Sequence, residues 1–366
     1  MKQPSLQSEL PVAVDAMGGD RAPDVVVEAA IRACRAGLGP ITLVGDHGRV
    51  TQCLERMGGM ELAIEVVHAS ETILMGESPG RAARRKRDSS MHGCFRLVAD
   101  GKACAALSAG NSGAFLAVGL LTVRRIKNCD RPCLVTTLPT HPRPTVLLDV
   151  GANVEVRAAH LAQFGLMGAC YAQIQHGADY PKVALLSNGT EASKGTETIR
   201  EAHRLLNATP INYIGYVEGR QLPTGCADVV VTDGLTGNIV LKLCEGLVGT
   251  LFDRIKDTLK GRWSSLLIGP LLKGPLSGLR SQLDWEAVGG APILGLDAVA
   301  LVSHGQSSPK ALVNAIRNAR LVSERRLVAS LDHILQNHAP GAATSTSELP
   351  ISSTGELVAD SDESTA

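Results

Sequence analysis

An α/β fold, built of right-handed βαβ units on a mostly parallel sheet, is what the sequence predicts, and three observations predict it. Short β-branched runs alternate with helical patterns along most of the 366 residues. Apolar residues make up 44% of the chain and aromatic ones only 3%. The core must therefore be packed from Ala, Val, Leu and Ile, which suits helices lying on parallel strands. Small polar clusters close many of the apolar runs, where sheets of this kind bind ligands.

The predicted strands, in order, are PVAVDA, ITLVG, AIEVVHA, ACAALSAG, TVLLDVGAN, KVALLSNG, INYIGYVEG, ADVVVTDG and AVALVSHG. Between them PDVVVEAAIRACRAGL reads as a helix with Pro23 suited to its first turn, and TETIREAHRLLN as another. Residues 103–123 carry no charge and approach the length of a membrane span. The polar stretch SAGNSG in their middle argues instead for a buried strand, a loop and a buried helix.

Formal net charge is zero, which gives no support to a nucleic-acid partner. The zero conceals an asymmetry. Residues 339–366 hold five acidic residues and no Lys or Arg, leaving 36 basic against 31 acidic residues, a net +5, in residues 1–338. The stretch is Ser/Thr-rich and poor in apolar residues, so it reads as a disordered acidic tail beyond a catalytic domain of residues 1–338. The nine cysteines show neither a C-x-x-C pair nor zinc-site spacing, which fits free thiols in a reducing cytoplasm and no metal or other cofactor. The N-terminus MKQPSLQSEL has no apolar core of a secretory signal.

Six clusters end strands: DAMGGD, SAGNSGA, DVGAN, SNGTEASKGTE, TDGLTGN and SHG. Each alone is an ordinary turn, because Gly, Asn, Asp and Ser form turns anyway. Together they predict one shared cleft where backbone N–H groups and helix N-termini approach an anion. GTEASKGT places Lys194 before Gly195 and so lacks the order of a P-loop. No G-x-G-x-x-G follows the first strand, and neither G-x-S-x-G nor H-E-x-x-H occurs.

The motifs VDAMGGDRAP, KRDSSM, SAGNSGA, LDVGANV, HLAQFGLMG, YVEGR, DGLTGNIVLKLCEG and GGAPILGL followed by SHG stand in the order seen in the PlsX family. The chain resembles these acyl-[acyl-carrier-protein]:phosphate acyltransferases over about residues 11–320. The resemblance implies an αβα fold similar to isocitrate and isopropylmalate dehydrogenases, assembled as a homodimer. It also implies transfer of a fatty acyl group from acyl carrier protein to inorganic phosphate, giving acyl phosphate for phospholipid synthesis. Where the family commonly reads LLNIGEEEIKGNE, this chain has LLSNGTEASKGTE, so Ser187, Asn188, Ala192 and Thr196 depart from the pattern.

That chemistry needs an anion held beside a carbonyl and donors for the oxyanion that forms. A thiolate leaving group needs little acid assistance, and no Ser-His-Asp triad is visible. Lys194 and Asn238 are the catalytic candidates, the lysine for phosphate or oxyanion charge and the asparagine as amide donor. Gly18, Gly19, Ser108, Asn111 and Ser112 are candidates for an anion cradle, with Asp15 and Asp20 orienting donors or turns. Asn153, Lys242 and His304 complete the substrate-binding set. Turn, cap or surface roles compete with these readings at each position. A phosphate acetyltransferase using acyl-CoA, a non-catalytic carrier-binding scaffold and a dehydrogenase of related fold stay as alternatives.

Two segments bear on partners. RAARRKRDSS groups Arg81, Arg84, Arg85, Lys86 and Arg87, either to steer phosphate or an acidic carrier or merely as a solvated face. LKGRWSSLLIGPLLKGPLSGLRSQLDW, within residues 250–288, reads as an apolar helical hairpin rimmed by Lys273 and Arg280. Its leucines, Leu267 and Leu271 among them, suit either a membrane surface or a dimer interface. Similarity to the family favours a projecting pair, peripheral membrane association and a membrane glycerol-3-phosphate acyltransferase as a further partner. Leu267→Asp with Leu271→Asp is expected to abolish liposome sedimentation while soluble acyl transfer persists, because aspartate near an anionic bilayer is both desolvated and repelled. Loss of the dimer in gel filtration with liposome binding intact would place these leucines in the interface.

Overall fold

A computed structural model describes residues 10–260, 274, 277–279, 282, 283 and 288–338. The hairpin candidates Leu267, Leu271, Lys273 and Arg280, and the tail from residue 339, lie outside the described residues.

Eleven strands form one sheet in the order β3-β2-β1-β4-β11-β10-β5-β6-β9-β7-β8. The first group is β1 (Val12–Asp15), β2 (Ile41–Gly45), β3 (Ile64–His68) and β4 (Ala105–Ser108), joined by β11 (Ala300–Val302). The second is β6 (Thr145–Leu148), β7 (Lys182–Leu186), β8 (Asn212–Val217) and β9 (Val229–Val231). Within each group all pairing is parallel, as the alternating pattern predicts. Two strands that the pattern did not reveal join the groups: β5 (Cys133–Leu138) and β10 (Ala291–Leu294). Their pairings with each other, with β11 and with β6 are antiparallel. The two parallel groups therefore run in opposite directions, and their carboxyl ends lie at opposite edges of the sheet.

Both faces of the inner strands are buried, which explains continuous apolar runs instead of alternation, while the edge strands β3 and β8 are partly exposed. One core cluster joins Val12, Leu43, Leu107 and Leu148 to the helices α1 (Asp24–Arg35) and α6 (Ala158–His176). The other joins Ala13, Leu147 and Val230 to α4 (Ser90–Ala99) and α5 (Ser112–Thr122). Residues 103–123 supply β4, a polar loop and α5, so they lie within the fold. Pro23 takes the N-cap position of α1, one residue before the first turn expected for it. Helix α7 (Glu197–Asn207) begins at Thr196, whose hydroxyl caps it by accepting from the Ile199 amide at 3.3 Å. Thr196, which stands in place of the family's usual asparagine, thus caps this helix.

Helix α8, Gly234–Lys260, was not foreseen as one continuous element of 27 residues. Its stretch Gly234–Thr258 is long and apolar enough to cross a membrane by length and composition. Six charged residues, Lys242, Glu245, Asp253, Arg254, Lys256 and Asp257, mark it instead as amphipathic. Leu235, Ile239, Leu243, Leu247 and Leu251 recur every fourth residue and stand exposed.

The start of α8 lies against the turn after β6. A Cβ on Gly237 would stand 1.9 Å from the carbonyl oxygen of Asp149, and one on Gly234 would stand 2.6 Å from that of Asn153. No side chain fits there. Gly237→Ala is expected to lower stability by about 3 kcal/mol, since backbone must move to admit the methyl group. A urea midpoint within error of the wild type would show that α8 is not held this closely.

Candidate active site

The Gly18-Gly19 turn after β1 is packed onto the turn after β4. Asp15, fully buried at the end of β1, accepts from the Ser108 hydroxyl at 2.6 Å and the Met17 amide at 3.0 Å. Burial raises its carboxyl above the ordinary aspartate range, opposed by the hydrogen bonds from Ser108, Ser90 and nearby amides. Ser108 Oγ in turn accepts from the Gly110 amide at 3.0 Å. A Cβ on Gly18 would lie 2.6 Å from Asp15 Oδ2 and 2.8 Å from both Gly110 N and Ser108 Oγ. Gly19 has φ +107°, a conformation open to glycine, and the Asp20 amide donates to Gly305 O at 2.9 Å. Three turns are thereby tied together.

Helix α5 starts at Ser112, so its first amides have no intrahelical acceptor. Asn111 caps it by accepting from the Ala114 amide at 3.0 Å, while its amide group donates to Met75 O at 3.0 Å and Glu77 O at 3.1 Å. Across the sheet, Asp149 accepts from the amides of Leu134, Gly151, Ala152 and Asn153 and from Asn153 Nδ2. Burial raises its carboxyl as well, and these donors oppose the rise. Asn153 Nδ2 also donates to Pro132 O at 2.8 Å. Asp15, Ser108, Asn111 and Asn153 therefore spend their side chains on holding turns together.

Between the two groups of turns lies a cavity of about 660 Å³, within the range of small-molecule sites. Its apolar walls include Leu134, Val150, Leu241 and Val302, and its polar lining includes Ser112, Asn238, Lys242 and His304. Asn238 is the fifth residue of α8, beside Gly151. Lys242, one turn further, reaches Glu245 Oε2 at 3.3 Å. His304 Nδ1 accepts from the Gln306 amide at 3.2 Å. Next to it Ser303 is buried, and its hydroxyl has no hydrogen-bond partner among the described residues. A smaller recess holds Gly18, Gly19 and Arg21 and shares Gly305 and Ser307 with the cavity. Among the described residues no group of three or more His, Cys, Asp or Glu is placed to hold a metal.

Residues 10–329 match a family described as "Fatty acid synthesis protein". A phosphate acyltransferase of Anaeromyxobacter sp. (strain Fw109-5) is 46% identical over 334 residues, 91% of this chain and 92% of its own length. One from Pelobacter propionicus is 48% identical over 308 residues, 84% of this chain and 89% of its own. The chain belongs to the PlsX family of phosphate acyltransferases. The EutD phosphotransacetylase of Staphylococcus aureus shares the fold, with a TM-score of 0.60, 18% identity and coverage of 87% of this chain and 95% of its own.

Four of the six predicted clusters of this acyltransferase reach the cavity: SAGNSGA through Gly110 and Ser112, DVGAN through Val150, TDGLTGN through Asn238, and SHG. DAMGGD lies behind them, in the smaller recess. SNGTEASKGTE does not contribute to the lining. Lys194 stands exposed on that loop, beyond β7, on the same carboxyl edge as Val150 but with β9 between them. The loop is closed by Asn188, which accepts from the Gly195 amide at 2.9 Å. Asn188 and Thr196, both departures from the family pattern, thus have local structural uses. Thr136, Glu245, Ser303 and Gln306 line the cavity without having been singled out. SHG, which contains Ser303, and DGLTGNIVLKLCEG, which contains Glu245, were the signals for two of them.

Ser108 and Ser112 stand four residues apart with different duties. Ser108→Ala removes a donor from buried Asp15 and an acceptor from the Gly110 amide, so it is expected to lower stability by about 2 kcal/mol. Ser112→Ala should leave the urea midpoint unchanged. Equal midpoints for both variants would remove Ser108 from the turn scaffold.

Proposed function

We propose that this phosphate acyltransferase moves a fatty acyl group from acyl carrier protein to inorganic phosphate, forming acyl phosphate for phosphatidic acid synthesis. The observation that carries the reading is the cavity in which an apolar wall meets Ser112, Asn238, Lys242 and His304. A phosphate oxygen attacks the thioester carbonyl carbon, a C–O bond forms, the C–S bond breaks, and sulfur leaves as the carrier's thiolate. That thiol, with a pKa of about 8.5, departs without a strong general acid. The reaction is reversible because both acyl donors are activated.

In this reading the Asn238 amide donates to the oxyanion as the tetrahedral centre forms. Lys242, partly compensated by Glu245, and His304 receive phosphate together with the first amides of α5. Gly18, Gly19 and Asp20 keep the neighbouring turn close enough for that approach. Lys194, on the same edge of the sheet, adds positive charge that phosphate senses on entry. Ser303 offers its unpartnered hydroxyl to the bound substrate.

A homodimer is supported by the exposed leucine stripe of α8, which a second copy would cover. A cytoplasmic protein that touches the membrane through residues 250–288 follows from the family resemblance, as does hand-over to a membrane glycerol-3-phosphate acyltransferase.

Mass spectrometry of acyl phosphate, formed from phosphate and either acyl carrier protein or acetyl-CoA, tests the donor. Product from acetyl-CoA alone would replace this reading with a short-chain acetyltransferase, and carrier binding without product would leave a scaffold. Asn238→Ala is expected to lower kcat by roughly 10²- to 10³-fold with little change in carrier affinity. Lys194→Ala should raise the KM for phosphate as well as lower kcat. Near wild-type turnover in either variant would remove that residue from the mechanism.

A further inference from the structure

The basic run at residues 81–87 is not one uniform charge cluster. Lys86 is consumed internally: its ammonium lies 2.7 Å from Glu77 Oε2 and donates to Thr72 O at 2.6 Å. Glu77 also accepts from the Leu74 amide at 2.7 Å, and the Lys86 ammonium lowers its carboxyl pKa. Arg81, Arg84 and Arg85 are different. They stand exposed on α3 (Pro79–Arg85), and none forms an ion pair among the described residues. A seven-residue helix rises only about 1.5 Å per residue, so three guanidinium groups share a length of about 10 Å.

This helix is fastened to the rim of the cavity. Met75 lines the cavity, and its carbonyl and that of Glu77 both accept from Asn111, the cap of α5. Pro79 opens α3 and packs so closely on α5 that a Cβ on Gly113 would stand 2.9 Å from its ring. Ser112, the neighbour of Gly113, lines the cavity as well. Leu74 and Met75, just ahead of this helix in the chain, are exposed, and Met75 also borders the cavity. A basic face with a small apolar spot thus stands, on a braced segment, beside the entrance.

We propose that Arg81, Arg84 and Arg85 are the docking surface for the acidic face of the acyl carrier protein, placing its thioester arm at the Met75 side of the cavity. The proposal rests on the carrier being the acyl donor. Charge complementarity argues for the partner, because three uncompensated cations on one short helix attract an acidic surface and speed its encounter. Position argues for it too, since the donor's acyl group must enter where Met75 and Ser112 stand. An anionic bilayer fits less well: among the described residues, Leu74 and Met75 are the exposed large apolar side chains next to this helix in the chain, little apolar area for insertion.

The test compares the full chain with an R81E/R84E/R85E variant and with the milder R81Q/R84Q/R85Q. Binding of acyl carrier protein is read by fluorescence anisotropy, and turnover with palmitoyl-loaded carrier and phosphate varied separately. Sedimentation with phosphatidylglycerol vesicles runs in parallel. Both variants should raise the carrier Kd and KM, by at least about tenfold for the glutamates, with kcat, phosphate KM and thermal midpoint within twofold or a few degrees of wild type. The wild-type carrier KM should rise with salt, and that of the glutamate variant should not. An unchanged carrier Kd overturns the proposal, and so does loss of vesicle binding with carrier binding intact. Wild-type protein that binds the carrier at this face but makes no acyl phosphate would overturn the proposed reaction and leave the docking surface standing.

Discussion

The buried carboxylate of Asp149 holds together the place where the two halves of the sheet meet. It gathers the amide of Leu134 from β5, three amides of its own turn and the side chain of Asn153. Desolvating a carboxylate is costly unless donors surround it, so these groups are constrained to converge. Asn153 then binds Pro132, which secures the chain entering β5. The start of α8 lies directly on the same turn because Gly234 and Gly237 have no side chains to keep it away. Asn238 follows in the next position and so comes to the cavity wall.

A second buried carboxylate does comparable work on the other side. Asp15 binds Ser108, Ser108 binds Gly110, and Gly18 admits the two turns to contact. The consequence is a division of labour among polar residues that composition cannot distinguish. Those with buried partners shape the rim, while Ser112, Asn238, Lys242 and His304 line the cavity. Preorganisation of this kind lets modest groups stabilise a developing charge without rearranging at the moment of reaction. Acyl transfer from a thioester asks for little more, since both nucleophile and leaving group are good at neutral pH.

The antiparallel pair β10 and β5 lies at the centre of the sheet, and Leu134 of β5 and Ala291 of β10 line the cavity there. Reversing strand direction at this pair puts the carboxyl ends of the two parallel groups at opposite edges of the sheet, and residues from both groups line the one cavity. Helix α8 follows β9 of the second group and presents an exposed leucine face. Helix α3, fastened to the other rim through Asn111 and Pro79, brings the arginines of the first group to the opposite side of the entrance.

By itself the sequence determined the parallel βαβ groups, because strands buried on both faces leave continuous β-branched runs that local pattern reveals. It determined the family too, through motifs retained in order, and the residue types that an anion site requires. Nine predicted strands are all present, and the uncharged stretch at residues 103–123 is a strand, loop and helix within the fold. Only the tertiary structure decided the direction of the second group, since β5 lies between prolines and β10 is four residues long with one proline. Patterns so short carry no orientation. Tertiary contact alone also separated scaffold from site. Ser108 and Ser112 look alike in SAGNSGA, and Lys86 and Arg85 look alike in RAARRKRDSS. What distinguishes them is a partner outside the motif, Asp15 for Ser108 and Glu77 with Thr72 for Lys86, brought close by the fold, and such contacts leave no trace in the motif itself.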